Sequence, residues 1–186
     1  MNKKHHQKQI ILASKSKRRI DILSELKVPF KSIASNVNEP DYDGEKMNPD
    51  EYAVYCARLK AENVAGISSK ALVIGMDTIG EYNGRVLGKP KDREHARRMI
   101  EHIQGSKHSV ITGVCIIDAD SGDSFTAAEI TKVKFAAMSA RDIEKYLDLR
   151  AWRDVAAGYA IQGIGSLFIE KIEGDYFNVV GFPIFR

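Results

Sequence analysis

The chain carries two groups of residues whose types and spacing suit chemistry on a charged ligand. The first is acidic. Asp77 ends the apolar run "ALVIGMD", and open α/β sheets gather ligand-binding groups at the carboxyl ends of such buried strands. A turn-initiating aspartate is the competing reading of the same position. Upstream, Glu39, Asp41, Asp43 and Glu45 crowd one loop, "NVNEPDYDGEKMNP", either as oxygen ligands for a hard cation or as a solvated acidic surface. The second group is basic. In "LASKSKRR", a strand-like run leads through Ser14 and Ser16 into a helix that starts near Lys17, so Lys17, Arg18 and Arg19 stand on the positive end of the helix dipole. That is the end where Asp or Glu is usual. Lys60, on a later helix, and Lys89, in the constrained "LGKP", add two further cations.

The two groups explain each other. A helix N-terminus with free N–H groups, capped by Ser16 and flanked by arginines, is a seat for a phosphate chain. A triphosphate brings about four negative charges, which calls for several cations and a divalent metal. Arg18, Arg19, Lys60 and Lys89 supply the cations, and Asp77 and Glu39 supply the metal ligands. On this reading, removing Arg18 and Arg19 weakens triphosphate binding and relieves their repulsion with the helix dipole.

These residues need an alternating set of elements to bring them together. The first strand, Ile10–Ala13, and a helix with Ile20, Leu23 and Leu26 on one face precede a strand over Pro29–Ser35. A helix over Pro49–Ala65 has Pro in its first turn and Tyr52, Tyr55, Cys56 and Leu59 on one face. Asn83-Gly84 marks a hairpin turn after the Asp77 strand, and Ala96, Met99, Ile100 and Ile103 mark the next helix. The strands "HSVITGVCIID" and "TAAEITKVKFAAM" follow, then a helix over Ala140–Leu149 and the glycine-rich "AGYAIQGIGS". The final "LFIEKIEGDYFNVVGFP" reads as a two-stranded hairpin. Hairpins mixed with helical crossovers predict an α/β fold around a mixed sheet.

Composition narrows the function. The 186 residues fit one domain, 1–186, with residues 1–8 as a disordered tail. With 28 basic and 25 acidic residues, the net charge of +3 is too balanced for a general nucleic-acid or membrane-surface binder. The basic start "MNKKHHQKQ" lacks interleaved aromatics and any signal-peptide apolar stretch, and His5-His6 reads as solvated rather than metal-binding. Cys56 and Cys115 have no metal or redox spacing and read as buried free thiols in a cytoplasmic protein.

Six motifs in order, "LASKSKRRIDIL", "GMDTIG", "LGKPKD", "GSKHSVITGV", "TKVKF" and "GYAIQGIGSLFIEKIEGDYFNVVGFP", resemble those of the Maf family of nucleoside triphosphate pyrophosphatases over nearly the whole chain. The resemblance implies a mixed, twisted β-sheet with flanking helices and two lobes around a cleft, as in the related inosine-triphosphate pyrophosphatases. It implies a cytoplasmic homodimer that uses Mg²⁺ or Mn²⁺ to cleave a nucleoside triphosphate into a monophosphate and pyrophosphate. Asp77 would accept the proton from water, Glu39 would share the metal, and Ser14, Ser16, Arg18, Arg19, Lys60 and Lys89 would hold the substrate. Arg18, Thr78 and Gln162 match the three positions that follow substrate choice, in the form of the dTTP/UTP subgroup. A Gln amide can pair with a uracil or thymine edge, although loop capping is the plainer reading of Gln162 alone.

The sequence departs from the family pattern in four places. Lys17 replaces a proline, and Val155 in "DVAA" stands where a lysine is usual. Ala157 and Ala160 replace glycines around Gly158-Tyr159, and family members carry a further helix after the motif that here reads "GFP". If the position of Val155 faces the phosphates, one cation is absent. The alternative reading is a nucleotide-binding regulator of septum formation with little catalysis. A binding module, however, would not need the proposed base.

Overall fold

The computed structural model describes residues 8–185, so the expectations for His5, His6 and the tail up to Gln7 lie outside the described residues. A mixed seven-stranded sheet carries the fold. In sheet order its strands are β2 (Phe30–Ser32), β1 (Gln9–Leu12), β3 (Ala71–Tyr82), β5 (Lys107–Asp118), β6 (Ser124–Phe135) and β7 (Ile169–Glu173), with β4 (Arg85–Leu87) paired to β3. β1 runs parallel to β2 and β3, and the other pairings are antiparallel. The mixed α/β architecture expected from the alternating elements is the one observed.

The decisive feature is the free edge of β3. β1 leaves β3 at Ile74, and β4 joins it only at Gly80. β5 meanwhile pairs with β3 along the opposite edge from Leu72 to Glu81. Between Ile74 and Gly80, no strand among the described residues covers the first edge. β3 was expected to end at Asp77. It continues to Tyr82 because the antiparallel β5 still satisfies its backbone, so Asp77 stands within the strand, where the parallel neighbour has ended.

Helices cover both faces. α2 (Pro49–Ala65) lies on one, while α1 (Lys17–Glu25), α3 (Arg93–Ile103), α4 (Ala140–Asp148) and α5 (Tyr176–Val180) pack on the other. α2 starts with a capping box: Asn48 caps, and Glu51 reaches back to the Asn48 N–H at 2.8 Å. Its buried face is Tyr52, Ala53, Cys56, Ala57, Ala61 and Val64 rather than the expected Tyr52, Tyr55, Cys56 and Leu59; Tyr55 is exposed. The cause lies in the strands. A Cβ on Gly75 would fall 2.2 Å from the Ala57 carbonyl oxygen, and one on Gly113 would fall 2.2 Å from the Ala53 carbonyl. Small residues meet glycines, so the helix backbone touches the sheet.

Two further expectations are corrected. Leu26 was placed on the buried face of α1, but it caps the helix and is exposed, while Arg19, Ile22 and Leu23 are the buried residues. The final segment is not a hairpin: β7 is followed by α5. Asp175 accepts from the Phe177 N–H at the start of α5, and Gly181, at φ +106°, ends it in a left-handed conformation. A cap and a stop with only five residues between them outweigh the strand preference of "YFNVV". Among the described residues, no helix is long and apolar enough to cross a membrane.

Gly75→Ala and Gly113→Ala should each lower stability by about 3 kcal/mol or more, because the overpacked atom meets backbone rather than a movable side chain. Gly88→Ala, with nothing within 4 Å of the added carbon, should stay within about 0.5 kcal/mol. Urea unfolding of the three variants checks this.

Candidate active site

Asp77 and Thr78 are consecutive on β3 and point to opposite faces, as strand alternation requires. Asp77 points toward α2, the side of Gly75, and Thr78 toward α1 and α5. A cleft of about 650 Å³ wraps the uncovered edge of the strand, so both side chains line it. Ser14, Ser16, Arg18, Arg19, Glu39, Lys60, Lys89 and Gln162 line the same cleft. These ten residues, read from the sequence as base, metal ligands or substrate contacts, therefore reach one space, whereas Asp41, Asp43 and Glu45 of the acidic loop do not line it.

On the α2 side, Lys60 Nζ lies 2.6 Å from Asp77 Oδ1 and 2.9 Å from Glu39 Oε1. The Asp77 and Lys60 side chains are 12% and 14% exposed, so this contact is only weakly screened by water. The close approach of α2 makes it possible, since Lys60 belongs to the same helix as Ala53 and Ala57. Glu39 arrives from the acidic loop, which Tyr52 ties down by donating its hydroxyl to the Pro40 carbonyl at 2.8 Å. Asp43, by contrast, pairs with Lys46 and accepts from the Glu45 N–H. Among the loop's four acids, Glu39 is the one that lines the cleft.

Cys56 was read as a plain buried thiol. It is buried and free, yet its sulfur, Glu39 and Asp77 offer ligand atoms within 4.8 Å of one another. Its i, i+4 relation to Lys60 on α2 was the available sequence signal. Burial, reinforced by the Asp77 charge, pushes the thiol up to about 11, so it stays protonated at neutral pH. The two carboxylates are hard donors suited to Mg²⁺ or Mn²⁺, and the ammonium that bridges them shows that the position accepts positive charge. The donor set fits such a cation through Glu39 and Asp77.

On the other side, the three cations of the α1 start divide. Lys17 turns outward to Asp21 at 2.9 Å. Arg18 Nη2 donates to the Asp154 carbonyl at 3.2 Å. Arg19 is buried, donating from Nε to the Gly181 carbonyl (2.8 Å), from Nη1 to Ser14 Oγ (3.3 Å) and from Nη2 to Thr78 Oγ1 (2.9 Å). Burial lowers the affinity of its guanidinium for the proton, and the Asp77 charge opposes that. Of the five N–H groups of an arginine, these bonds leave two for the cleft. Ser16 occupies the N-cap position but makes no side-chain capping bond; instead its N–H donates to Ser14 Oγ at 3.1 Å. α1 has no acidic residue in its first turn. Its positive end thus stays electrostatically open to an anion, as the arginines suggested.

The far wall is apolar. Val155 is buried and lines the cleft, so the valine puts a hydrophobic surface where a lysine was expected. Ala157 adopts φ +54°, a region easy for the glycine it replaces, and donates its N–H to the Gly88 carbonyl at 3.0 Å. That bond pins the loop carrying Lys89, which is exposed at the cleft. Gln162 precedes a single 3₁₀ segment, Gly163–Phe168, and makes no capping bond to it.

Fold and cleft together define an α/β protein with a cluster of cations and a carboxylate pair at the open edge of a mixed sheet. Comparison with known proteins places it further. The family model described as "Maf-like protein" matches residues 9–186, and the chain belongs to that family. It is 49% identical to a dTTP/UTP pyrophosphatase of Pyrococcus furiosus, over 95% of this chain and 90% of that one. It is 43% identical to a dTTP/UTP pyrophosphatase of Syntrophomonas wolfei, over 94% and 92% of the two chains.

The three bonds of Arg19 add a second effect to the expected relief of the helix dipole, since removing the side chain would also strand the Gly181 carbonyl and take a donor from Ser14 and Thr78. Arg19→Ala should cost about 2–4 kcal/mol, and Arg18→Ala, which loses one exposed bond, should stay within about 0.5 kcal/mol. Thermal and urea unfolding of the ligand-free variants distinguishes them.

Proposed function

We propose that the protein is a nucleoside triphosphate pyrophosphatase that hydrolyses dTTP, UTP and related modified pyrimidine nucleotides to the monophosphate and pyrophosphate, clearing them from the nucleotide pool. The observation that carries this reading is the Glu39–Lys60–Asp77 bridge at the open edge of β3, facing Arg18, Arg19 and Lys89 across one cleft. The names of the relatives point to the same substrates.

The residues divide the work. Arg18, Arg19, Lys60, Lys89 and the open α1 start, with Ser14 and Ser16, bind the triphosphate and offset the charge that moves onto the departing pyrophosphate. A water attacks the α-phosphorus as the bond from that phosphorus to the α–β bridging oxygen breaks, and Asp77 takes the proton the water loses. Mg²⁺ or Mn²⁺, held by Glu39 and Asp77, would supply charge neutralisation and a more acidic water. Lys60 then has two roles. In the free protein it neutralises the carboxylate pair, and in the complex it turns to phosphate. Thr78 and Gln162 meet the nucleoside, and the Gln162 amide reads the pyrimidine edge with one donor and one acceptor.

A nucleotide-binding regulator needs the cations but not a carboxylate pair beside them, so the hydrolase is the stronger reading. The protein acts as a cytoplasmic homodimer, without nucleic-acid or membrane partners. The near balance of 28 basic and 25 acidic residues supports the last two points.

Asp77→Asn should lower turnover of dTTP by about a hundredfold or more while nucleotide affinity largely survives, because the amide neither accepts the proton nor holds a cation as strongly. Pyrophosphate release and calorimetric binding measure the two quantities, and near wild-type turnover would refute the role. Gln162→Ala should reduce kcat/KM for dTTP and UTP by about 5- to 150-fold relative to GTP. A uniform loss across all three nucleotides would return Gln162 to a purely loop-shaping role.

A further inference from the structure

A chain of hydrogen bonds runs from the cleft into the sheet on the face opposite α2. Arg19 Nη2 donates to Thr78 Oγ1 at 2.9 Å, the Thr78 and Thr112 hydroxyl oxygens lie 2.9 Å apart, and Thr112 Oγ1 donates to the Asn178 carbonyl at 3.2 Å. Thr112 sits directly opposite Thr78 in the β3–β5 register and has no exposed surface. The far end is anchored. Asn178 is itself fully buried, and its Nδ2 donates to the Val110 carbonyl at 3.1 Å and to Thr131 Oγ1 at 3.0 Å.

The two ends dictate the direction of the chain. A guanidinium has no acceptor, and a carbonyl oxygen has no donor. The single hydroxyl proton of Thr112 is committed to Asn178, so Thr112 can only accept from Thr78. The proton of Thr78 therefore points into the sheet, one of its lone pairs is taken by Arg19, and one lone pair remains for the cleft.

We propose that Thr112 is a positioning residue for specificity: by taking the Thr78 proton, it makes Thr78 an obligate acceptor toward the cleft. The site then favours a nucleoside that presents an N–H or O–H donor there, either a sugar hydroxyl, with Gln162 pairing the N3–H, or the N3–H of a uracil or thymine ring itself, with Gln162 left to donate to a ring carbonyl, and disfavours one that presents a bare acceptor. This rests on the nucleotide reading of the cleft. It assigns a role to a residue that touches no ligand, acting through the proton position of one that lines the site. The buried chain also explains why Thr112 is a threonine among apolar neighbours. A valine would fill the same volume but would free the Thr78 hydroxyl to rotate and donate.

Thr112→Val and Thr112→Ser test the inference against two nucleotide pairs. UTP and CTP differ at N3, which carries a proton in one and a lone pair in the other. dTTP and its 3′-O-methyl ether differ in the sugar donor. Thr112→Val should narrow one of the two preferences, in kcat/KM and in calorimetric Kd, by about tenfold, and the pair that moves identifies the donor. Thr112→Ser should keep both wild-type ratios. General destabilisation lowers all rates together and leaves the ratios alone; should the valine variant fail to fold, Thr112→Ala carries the same test. Ratios within twofold of wild type on both pairs, or a serine variant that shifts as far as the valine, would overturn the relay. A wild type that binds with these preferences yet releases no pyrophosphate would overturn the hydrolase reading and leave the relay standing. One that binds none of the four would overturn both.

Discussion

The contact between the α2 backbone and the strands at Gly75 and Gly113 is the constraint on which the rest of the structure depends. With a Cβ at either position, 2.2 Å from a carbonyl group, the helix would have to lift away. A shift of an ångström or two would separate Lys60 from Asp77, now 2.6 Å apart, and Tyr52 from the carbonyl that holds the Glu39 loop. Packing that looks like simple core economy thus sets the electrostatics of the cleft. It also brings the protonated Cys56 beside the carboxylates, where its bulk shapes the site without adding charge.

The second constraint is charge balance in a confined space. Two carboxylates close together repel, and a buried arginine is costly unless its donors are used. The free protein meets both demands internally: Lys60 bridges the acids, and Arg19 spends three of its N–H groups on Gly181, Ser14 and Thr78. The remaining cationic capacity, on Arg18, Lys89 and the unused edge of Arg19, faces the cleft. β3 separates the two systems by pointing Asp77 to one face and Thr78 to the other. A ligand at the free edge of the strand can touch both.

Much of this was legible in the sequence, for identifiable reasons. The Lys17 helix start, the proline in the first turn of α2 and the Asn83-Gly84 turn are local signals, and the structure realises all three. Asp77, Glu39 and the four cations were visible as charges beside apolar patterns, Thr78 and Gln162 through the family resemblance, and all of these line one cleft, while the other loop acids Asp41, Asp43 and Glu45 do not. What was hidden depends on tertiary contact. The buried face of α2 is built from alanines, which carry little hydrophobic signal until glycines opposite them are known. Asp77 reads as the end of a strand because the edge beside it is open, while the partner that extends the strand, β5, lies more than thirty residues away in sequence. The "YFNVV" segment has strand-like residues, and only the Asp175 cap and the Gly181 stop turn it into a helix. Arg19 looks like a surface cation and is a buried tie. Ser14 lies five residues before it, but the other two acceptors, Thr78 and Gly181, come from distant parts of the chain, beyond the reach of any local pattern.

The account stands or falls on where water enters the triphosphate. Hydrolysis of dTTP in ¹⁸O-labelled water, with the products resolved by mass spectrometry, locates the bond that forms. Attack at the α-phosphorus, with the cations cradling the departing pyrophosphate, predicts label in the nucleoside monophosphate and none in pyrophosphate. Label in pyrophosphate or in released orthophosphate would contradict the proposed placement of the substrate against Asp77.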